Sequence, residues 1–372
     1  MIDGISMRFY LRRFCGIFLF IIIGVVFFIS CSQLLITCDR SDMSNIRGFY
    51  YEEDNSIDVV TLGPSEMYTA YLPTKAWHDY GYTSYNFGAG AIPCNLYTSM
   101  LKEVLEHQKP NAVVVNISDY YDGEWNYRDE VSMRKWLDNI PWSQNKMDTI
   151  DDVISPENHM SYYYSLWKYH SNWKHPRGVL ESANIKYFLV KDQGTYNKGF
   201  LTNTTITGGY DNLVNLGDRD SLTMSFSAET EGYLRDFLGF CKESNIENVL
   251  MIAMPHQMKS INAEVINQIG EIVKEYDYDF INLDKNYEQI GINDATDFSD
   301  GEHMNIYGAE KFTDYIAKYM VEKYDLKCYD KYSKDIKDRW DNCYRLTEQF
   351  INMCKSDMQN GVRKEHWEGE MH

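Results

Sequence analysis

Apolar positions follow two rhythms along this chain. From Cys15 to Ile36 they run almost unbroken, as "CGIFLFIIIGVVFFISCSQLLI", without a charged residue. Further on they come in short blocks, the first of them β-branched, separated by segments whose apolar residues recur every three or four positions. The blocks predict five buried strands: "IDVVTLG" (57–63), "TSYNFGAGA" (83–91), "NAVVVNISD" (111–119), "ENVLMIAMP" (247–255) and "YDFINLD" (278–284). Between and after them the helical rhythm predicts helices over 66–80, 94–108, 228–245, 261–277 and 306–323. In 94–108, for example, Leu96, Met100, Leu101, Val104 and Leu105 share a face. Short continuous apolar strands alternating with helices predict a parallel sheet, because a strand covered on both faces needs apolar residues at successive positions. The expected fold is therefore α/β: a three-layer α/β/α sandwich on a five-stranded parallel sheet, spanning 57–325 and interrupted by an insertion at 122–227.

The flanking segments differ in character. Residues 37–56, "TCDRSDMSNIRGFYYEEDNS", are polar and read as a stalk. The insertion is dense in aromatics ("WNYRDEVSMRKWLDNIPWSQ", "MSYYYSLWKYHSNWKHP") before turning to Thr, Asn and Gly in "NKGFLTNTTITGGYDN". Its rings have two compatible readings, as the core of a helical cap and as faces presented to sugar. A helical tail, 326–372, follows the domain, with an amphipathic helix over 335–358 expected to pack back on it.

About 20 apolar residues cross the roughly 30 Å hydrocarbon core of a bilayer. Arg8, Arg12 and Arg13 precede the long apolar run, so the positive-inside rule keeps the N-terminus cytoplasmic and puts everything after Cys38 outside. Residues 1–36 are expected to form a cytoplasmic stub and transmembrane signal anchor, making a single-pass plasma-membrane protein with its α/β domain extracytoplasmic. A cleaved signal peptide and a lipoprotein box at "FISC", lipidated on Cys31, are the competing readings. No clear small-x-small cleavage site follows the run, and Phe28 is unusual as the first residue of such a box.

The chain carries 36 basic and 55 acidic residues. Residues 1–36 hold three arginines and one aspartate, which leaves 33 basic against 54 acidic beyond the anchor, a net charge of −21. Nucleic acid and other polyanions are poor general partners for such a surface; a neutral glycan, a cationic group or plain solubility suits it. Six cysteines lie beyond the anchor: Cys38, Cys94, Cys241, Cys328, Cys343 and Cys354. They form no Cys-x-x-Cys pair and have no histidine at ligand spacing, so no zinc site is expected. Cys328 and Cys343 are the nearest candidates for a disulfide, with free thiols the default. No phosphate-binding Gly-Lys loop or dinucleotide fingerprint follows a strand, so no cofactor is expected. No Gly-x-Ser-x-Gly elbow is present either, which disfavours the α/β-hydrolase fold.

The candidate chemistry sits at strand ends. Gly63-Pro64-Ser65 closes the first predicted strand; the triplet alone fits a turn. "NFGAGA" closes the second strand, and "DFSDGEHMNIYGAEKF" (297–312) leads into the last helix, with Asn305 suited to cap it. Asp300 and His303 stand three apart on that turn. A carboxylate on one imidazole nitrogen fixes the tautomer and leaves the other nitrogen as a base. Parallel topology puts Ser65, Gly88, Gly90, Asn116 and the Asp300–His303 turn on one sheet edge, where open α/β sheets bind ligands. That shared placement favours Ser65 as a nucleophile, held by a turn. His256, after "AMP", falls near the same edge, either touching substrate or capping a strand end.

Gly63-x-Ser65, the glycine loop after strand two and Asp300-x-x-His303 together resemble the SGNH/GDSL hydrolase family. "GPSE" behind an N-terminal anchor is similar to its membrane-anchored, extracellular branch, typified by the D-alanyl transfer protein of lipoteichoic acid modification. The resemblance covers about 57–120 and 228–323. It implies a flavodoxin-like sandwich with Ser65 as nucleophile, His303 as base and Asp300 as its orienter. It further implies an oxyanion hole from Ser65 and from Gly88 or Gly90. The family's Gly-x-Asn after strand three is replaced by "NISDYYDG": Asn116 is the available amide, and Tyr120 aligns with the missing asparagine. The implied activity is that of an extracytoplasmic esterase or O-acyltransferase acting on acyl groups of a cell-envelope polysaccharide, with a membrane acyl-donor protein as partner. The alternative is an anchored glycan-binding or assembly component with weak or absent catalysis.

Overall fold

The computed structural model describes residues 2–36, 43–121, 127, 129–181, 195–208, 226–257, 263–283, 288–362 and 365–366. It contains two compact units, one of Met1–Asp39 with Ser155–Lys191 and one of Arg40–Ile154 with Asp192–His372. The 122–227 insertion is thus divided between them.

In the first unit, α1 (Ile2–Leu35) is continuous. Its stretch Phe9–Leu35, 27 residues, is long and apolar enough to cross a membrane. The side chains from Phe9 to Ile29 are bare, Phe14, Phe20 and Phe27 being 67%, 77% and 70% exposed, whereas Ser32 near the end of the helix is buried. Short helical segments at Pro156–Asn158, His159–Tyr163, Ser165–Tyr169, His170–Lys174 and Pro176–Glu181 follow in the same unit. Ser165 Oγ reaches the Ser32 carbonyl at 3.5 Å, and Asn172 Nδ2 donates to the Leu35 carbonyl at 2.8 Å. The second bond satisfies one of the carbonyls that a helix end leaves without an intrahelical partner.

The second unit is built on a five-stranded parallel sheet, as the strand pattern predicts. Its strands are β1 (Val59–Gly63), β2 (Ser84–Gly88), β3 (Ala112–Asn116), β4 (Asn248–Ala253) and β5 (Asp279–Asn282). They are ordered β2-β1-β3-β4-β5. The helices that bear on the site are α2 (Ser65–Ala70), α3 (Pro73–Tyr80), α4 (Tyr97–His107), α5 (Glu130–Leu137), α6 (Gln144–Val153), α7 (Ala228–Glu243), α8 (Ala263–Glu275), α9 (Ile306–Lys323) and α10 (Lys334–Gln359). One side-chain row of the sheet, Val59, Ala112, Val114, Leu250 and Ile252, packs with Phe312, Ile316 and Met320 of α9. Each such fully buried large apolar side chain contributes roughly 1.5–3 kcal/mol.

The single helix expected over 66–80 is two helices. Pro73 has no N–H to donate and restricts the residue before it, so Leu72 is extended (φ −99°, ψ 95°) and α3 starts afresh with the proline in its first turn. The Leu72 N–H is satisfied instead by Thr313 Oγ1 of α9 at 2.9 Å. The boundaries of the other elements shift by only a few residues: α9 runs from Ile306 to Lys323, as expected, and the tail helix α10 contributes buried Phe350 and Cys354 to a cluster with Leu72, Ile306 and Ala309. Cys328 and Cys343 are free thiols, as are Cys94, Cys241 and Cys354; Cys38 lies outside the described residues.

Residues 43–56, part of the polar stretch expected as a stalk, bury Ile46 and Phe49. The Phe49 ring stacks on Phe87 of β2 at 4.3 Å. Glu52 also points inward, and its carboxylate meets Lys198 Nζ at 2.7 Å with the two side chains 1% and 3% exposed. Removing one partner of a buried pair leaves the other charge unpaired, at a cost of about 3–5 kcal/mol. Glu52→Ala is therefore expected to lower the urea midpoint by an amount corresponding to that range, with an unchanged m-value. A loss below about 1 kcal/mol would contradict the buried-pair account.

Candidate active site

Two glycines open the end of the sheet. Gly63 and Gly88 face each other in the β1–β2 register. A Cβ on Gly88 would fall 2.1 Å from the Gly63 carbonyl oxygen, and one on Gly63 (φ +156°) would fall 2.9 Å from Asn116 Cβ. Only glycine permits this approach. The chain turns at Pro64, and Ser65 becomes the first residue of α2. Thr69 Oγ1 bonds back to the Ser65 carbonyl at 2.9 Å. The Ser65 N–H, at the first helical position, has no acceptor within its own helix.

The Asp300–His303 turn is fixed independently. Phe298 and Met304 bridge antiparallel, the Ser299 N–H donates to the His303 carbonyl at 2.8 Å, and the Asn305 N–H donates to the Asp297 carbonyl at 3.0 Å. Asn305 caps α9 by accepting from the Tyr307 N–H at 3.0 Å, while its amide donates to the Thr296 carbonyl at 2.8 Å. At the tip, Asp300 Oδ1 accepts the backbone N–H groups of Glu302 and His303 at 2.9 and 2.8 Å. The Gln257 N–H ties Gly301 to the loop after β4 at 3.1 Å.

These two pieces meet. His303 Nε2 lies 2.6 Å from Ser65 Oγ, and His303 Nδ1 lies 2.9 and 3.0 Å from the two Asp300 oxygens. Burial pushes the Asp300 carboxyl upward, but the hydrogen bond and charge of His303 and the two backbone N–H groups outweigh it and hold the pKa at about 2. An ionised carboxylate only accepts, so Nδ1 carries the proton and, in the neutral imidazole, Nε2 is the acceptor for the Ser65 hydroxyl. Burial lowers the His303 pKa, while Asp300 and, more weakly, Glu66 and Glu302 raise it further, so the net shift is upward from 6.5.

Glu66 was not singled out by the sequence pattern. Its Oε2 accepts from Asn116 Nδ2 at 3.0 Å and sits 3.3 Å from His256 Nε2. The two side chains of that pair are 12% and 3% exposed. Burial raises the Glu66 pKa, but the charge and hydrogen bond of His256, the Asn116 bond and His303 bring it below the ordinary carboxylate value. Residues from the ends of β1, β3 and β4 thus converge beside Ser65, where the strand order reverses between β1 and β3. Crevices in open parallel sheets form at such reversals.

No protein-family model matches this chain, and no curated protein matches it in sequence. The chemistry is therefore read from the geometry alone.

The other expected residues are placed as follows. Gly88 lies at the end of β2, and Gly90 lies in the turn after it, with its carbonyl accepting from Lys135 Nζ of α5 at 2.7 Å. Asn116 gives one amide hydrogen to Glu66 and accepts the Ser118 N–H on Oδ1 at 2.8 Å. Tyr120 is fully buried, edge-on to Tyr97 at 5.7 Å, so it belongs to the core. His256 faces Glu66 rather than only closing a strand end. Among the described residues no group of three His, Cys, Asp or Glu side chains could hold a metal ion.

The raised His303 pKa has a direction that can be checked. Its contribution to stability is full below pH 6.5, the value for an unperturbed histidine, and is lost as pH rises through the folded pKa. The His303 Cε1 proton resonance is expected to titrate with a midpoint above 6.5 in the wild type and at a lower pH in Asp300→Asn. A wild-type midpoint at or below 6.5 would contradict the arrangement.

Proposed function

We propose that this chain is an extracytoplasmic serine esterase or O-acyltransferase of SGNH/GDSL type, held at the plasma membrane by α1. It acts on acyl groups, acetyl or similar, of a cell-envelope polysaccharide. The observation that carries this reading is the Ser65–His303–Asp300 relay, with a 2.6 Å contact from His303 Nε2 to Ser65 Oγ, at the carboxyl edge of a parallel sheet. Helices on both faces of that sheet, making a three-layer sandwich, are part of the same reading.

The mechanism is two acyl transfers. Ser65 Oγ attacks the ester carbonyl carbon as its proton passes to His303 Nε2. The tetrahedral intermediate then expels the alcohol, which takes that proton, and leaves an acyl-Ser65 ester. Water, or a sugar hydroxyl in the transferase case, attacks this ester while His303 removes its proton; the acyl–Oγ bond then breaks and His303 returns the proton to Ser65 Oγ, releasing the acid or the new ester. The Ser65 N–H at the start of α2 and a backbone N–H from Gly88 or Gly90 are the proposed oxyanion donors, with the remaining amide hydrogen of Asn116 as a third. Asp300 stabilises the imidazolium formed in each step. The acidic part beyond the anchor, with net charge −21, favours a neutral glycan over a polyanion. A membrane acyl-donor protein is the partner in the transferase case.

One observation favours a second reading, an anchored glycan-binding or assembly component with weak catalysis: Asn116 is engaged by Glu66, and Tyr120 is sealed in the core. Loss of one oxyanion donor costs about 2.7–4 kcal/mol of transition-state stabilisation. Glycan affinity unchanged by Ser65→Ala, with no turnover on a panel of acyl esters, would select this second reading.

A fluorophosphonate probe discriminates directly. Wild type should label covalently and Ser65→Ala should not, while His303→Ala should slow ester turnover by about 10⁴- to 10⁶-fold. Equal labelling of wild type and Ser65→Ala would defeat the nucleophile assignment.

A further inference from the structure

Residues 159–177, "HMSYYYSLWKYHSNWKHPR", contain no aspartate or glutamate in a chain that has 55 of them. The same 19 positions hold Lys168, Lys174 and Arg177, three of the nine histidines, and six tyrosine or tryptophan residues. The structure places this segment in one compact unit with α1. Three of its contacts fall on the last turns of that helix: Asn172 on the Leu35 carbonyl, Ser165 on the Ser32 carbonyl, and the Tyr164 ring edge-on to Phe28 at 6.3 Å.

Helix length fixes where those turns lie if α1 spans a membrane. About 20 residues at 1.5 Å each cross the hydrocarbon core, and counted from Arg13 they end near Ser32. The segment bonded to Ser32 and Leu35 then sits at the level of the lipid headgroups. At that level Trp167 and Trp173 are 70% and 64% exposed, and Tyr164 is 46% exposed. Indole and phenol rings partition to this zone because one end of each is apolar and the other donates a hydrogen bond. Lys168, Lys174 and Arg177 are also exposed there, and basic side chains near the bilayer are attracted to lipid phosphates.

We propose that 159–177 is an interfacial membrane-binding element, with Trp167 and Trp173 seated in the headgroup zone of the outer leaflet and the basic residues on lipid phosphates. This rests on the reading of α1 as a membrane span. The aromatics of this part of the insertion accordingly face lipid rather than sugar. The element grips the bilayer through side chains far in sequence from the anchor, fixing the end of α1 at a defined depth.

The test uses the full-length chain in nanodiscs of phosphatidylcholine and phosphatidylglycerol, compared with the Trp167→Phe/Trp173→Phe variant. The emission that the variant lacks is the signal of these two indoles. It should lose most of its intensity when the lipid carries a nitroxide near the headgroup, and little when iodide is added to the water. Indoles open to iodide and insensitive to the lipid nitroxide would overturn the proposal and leave the face to a soluble partner such as a glycan. Flotation with vesicles separates this result from failure of the anchor itself. A chain that floats but keeps iodide-accessible indoles defeats the interfacial element alone; a chain that does not float defeats both.

Discussion

The His303 imidazole, bonded on one side to Ser65 Oγ and on the other to Asp300, joins positions 238 residues apart in the chain. Such a contact has a narrow tolerance, since a hydrogen bond weakens steeply beyond about 3.2 Å or with poor alignment. Two separately built supports hold it. Gly63 and Gly88 let β1 and β2 approach closely enough to present Ser65 at the first position of α2. The bridge between Phe298 and Met304, with Asn305 capping α9, fixes the turn that carries Asp300 and His303. α9 then packs on the sheet through Phe312, Ile316 and Met320, so the core couples the two supports. The rest of the proposed chemistry depends on that coupling.

Charge around the relay is arranged in two layers. Asp300 stays ionised because His303 and backbone N–H groups outweigh its burial. Glu66, adjacent in sequence to Ser65, bonds to Asn116 and faces His256, and its charge reaches His303. A buried carboxylate beside the nucleophile requires such partners, because an unpaired charge there would be neutralised by a shifted pKa. The arrangement favours protonated His303, the state formed when it takes the Ser65 proton.

Much of this was legible in the sequence because it rests on local pattern. Short apolar runs announced the five strands, and the spacing of Ile306, Phe312, Ile316 and Met320 announced α9. Topology then carried Ser65 and the Asp300–His303 turn to one edge without any distance being known. What escaped depended on partners remote in the chain. The break at Pro73 is a local signal that the apolar rhythm masks, and its stability comes from Thr313. Glu66 looks like an ordinary helix-start acid until His256, 190 positions later, is placed against it. Polar residues 43–56 gave no hint that Glu52 would be neutralised by Lys198 in the interior. The aromatic part of the insertion read as one object because Trp and Tyr recur throughout it, whereas its pieces pack with different elements: Trp136 is buried and bonds to Ser99 of α4, while Trp167 and Trp173 belong with α1.

The central claim is that the relay makes Ser65 a nucleophile toward an acyl carbon. Rapid-quench mass spectrometry after mixing the protein with an activated acetyl ester tests it most directly. The account predicts one acetyl group on the peptide containing Ser65, appearing within the first turnover in wild type and accumulating far more slowly in His303→Ala. Ester turnover without acylation of that peptide, or equal acylation rates in wild type and His303→Ala, would contradict it.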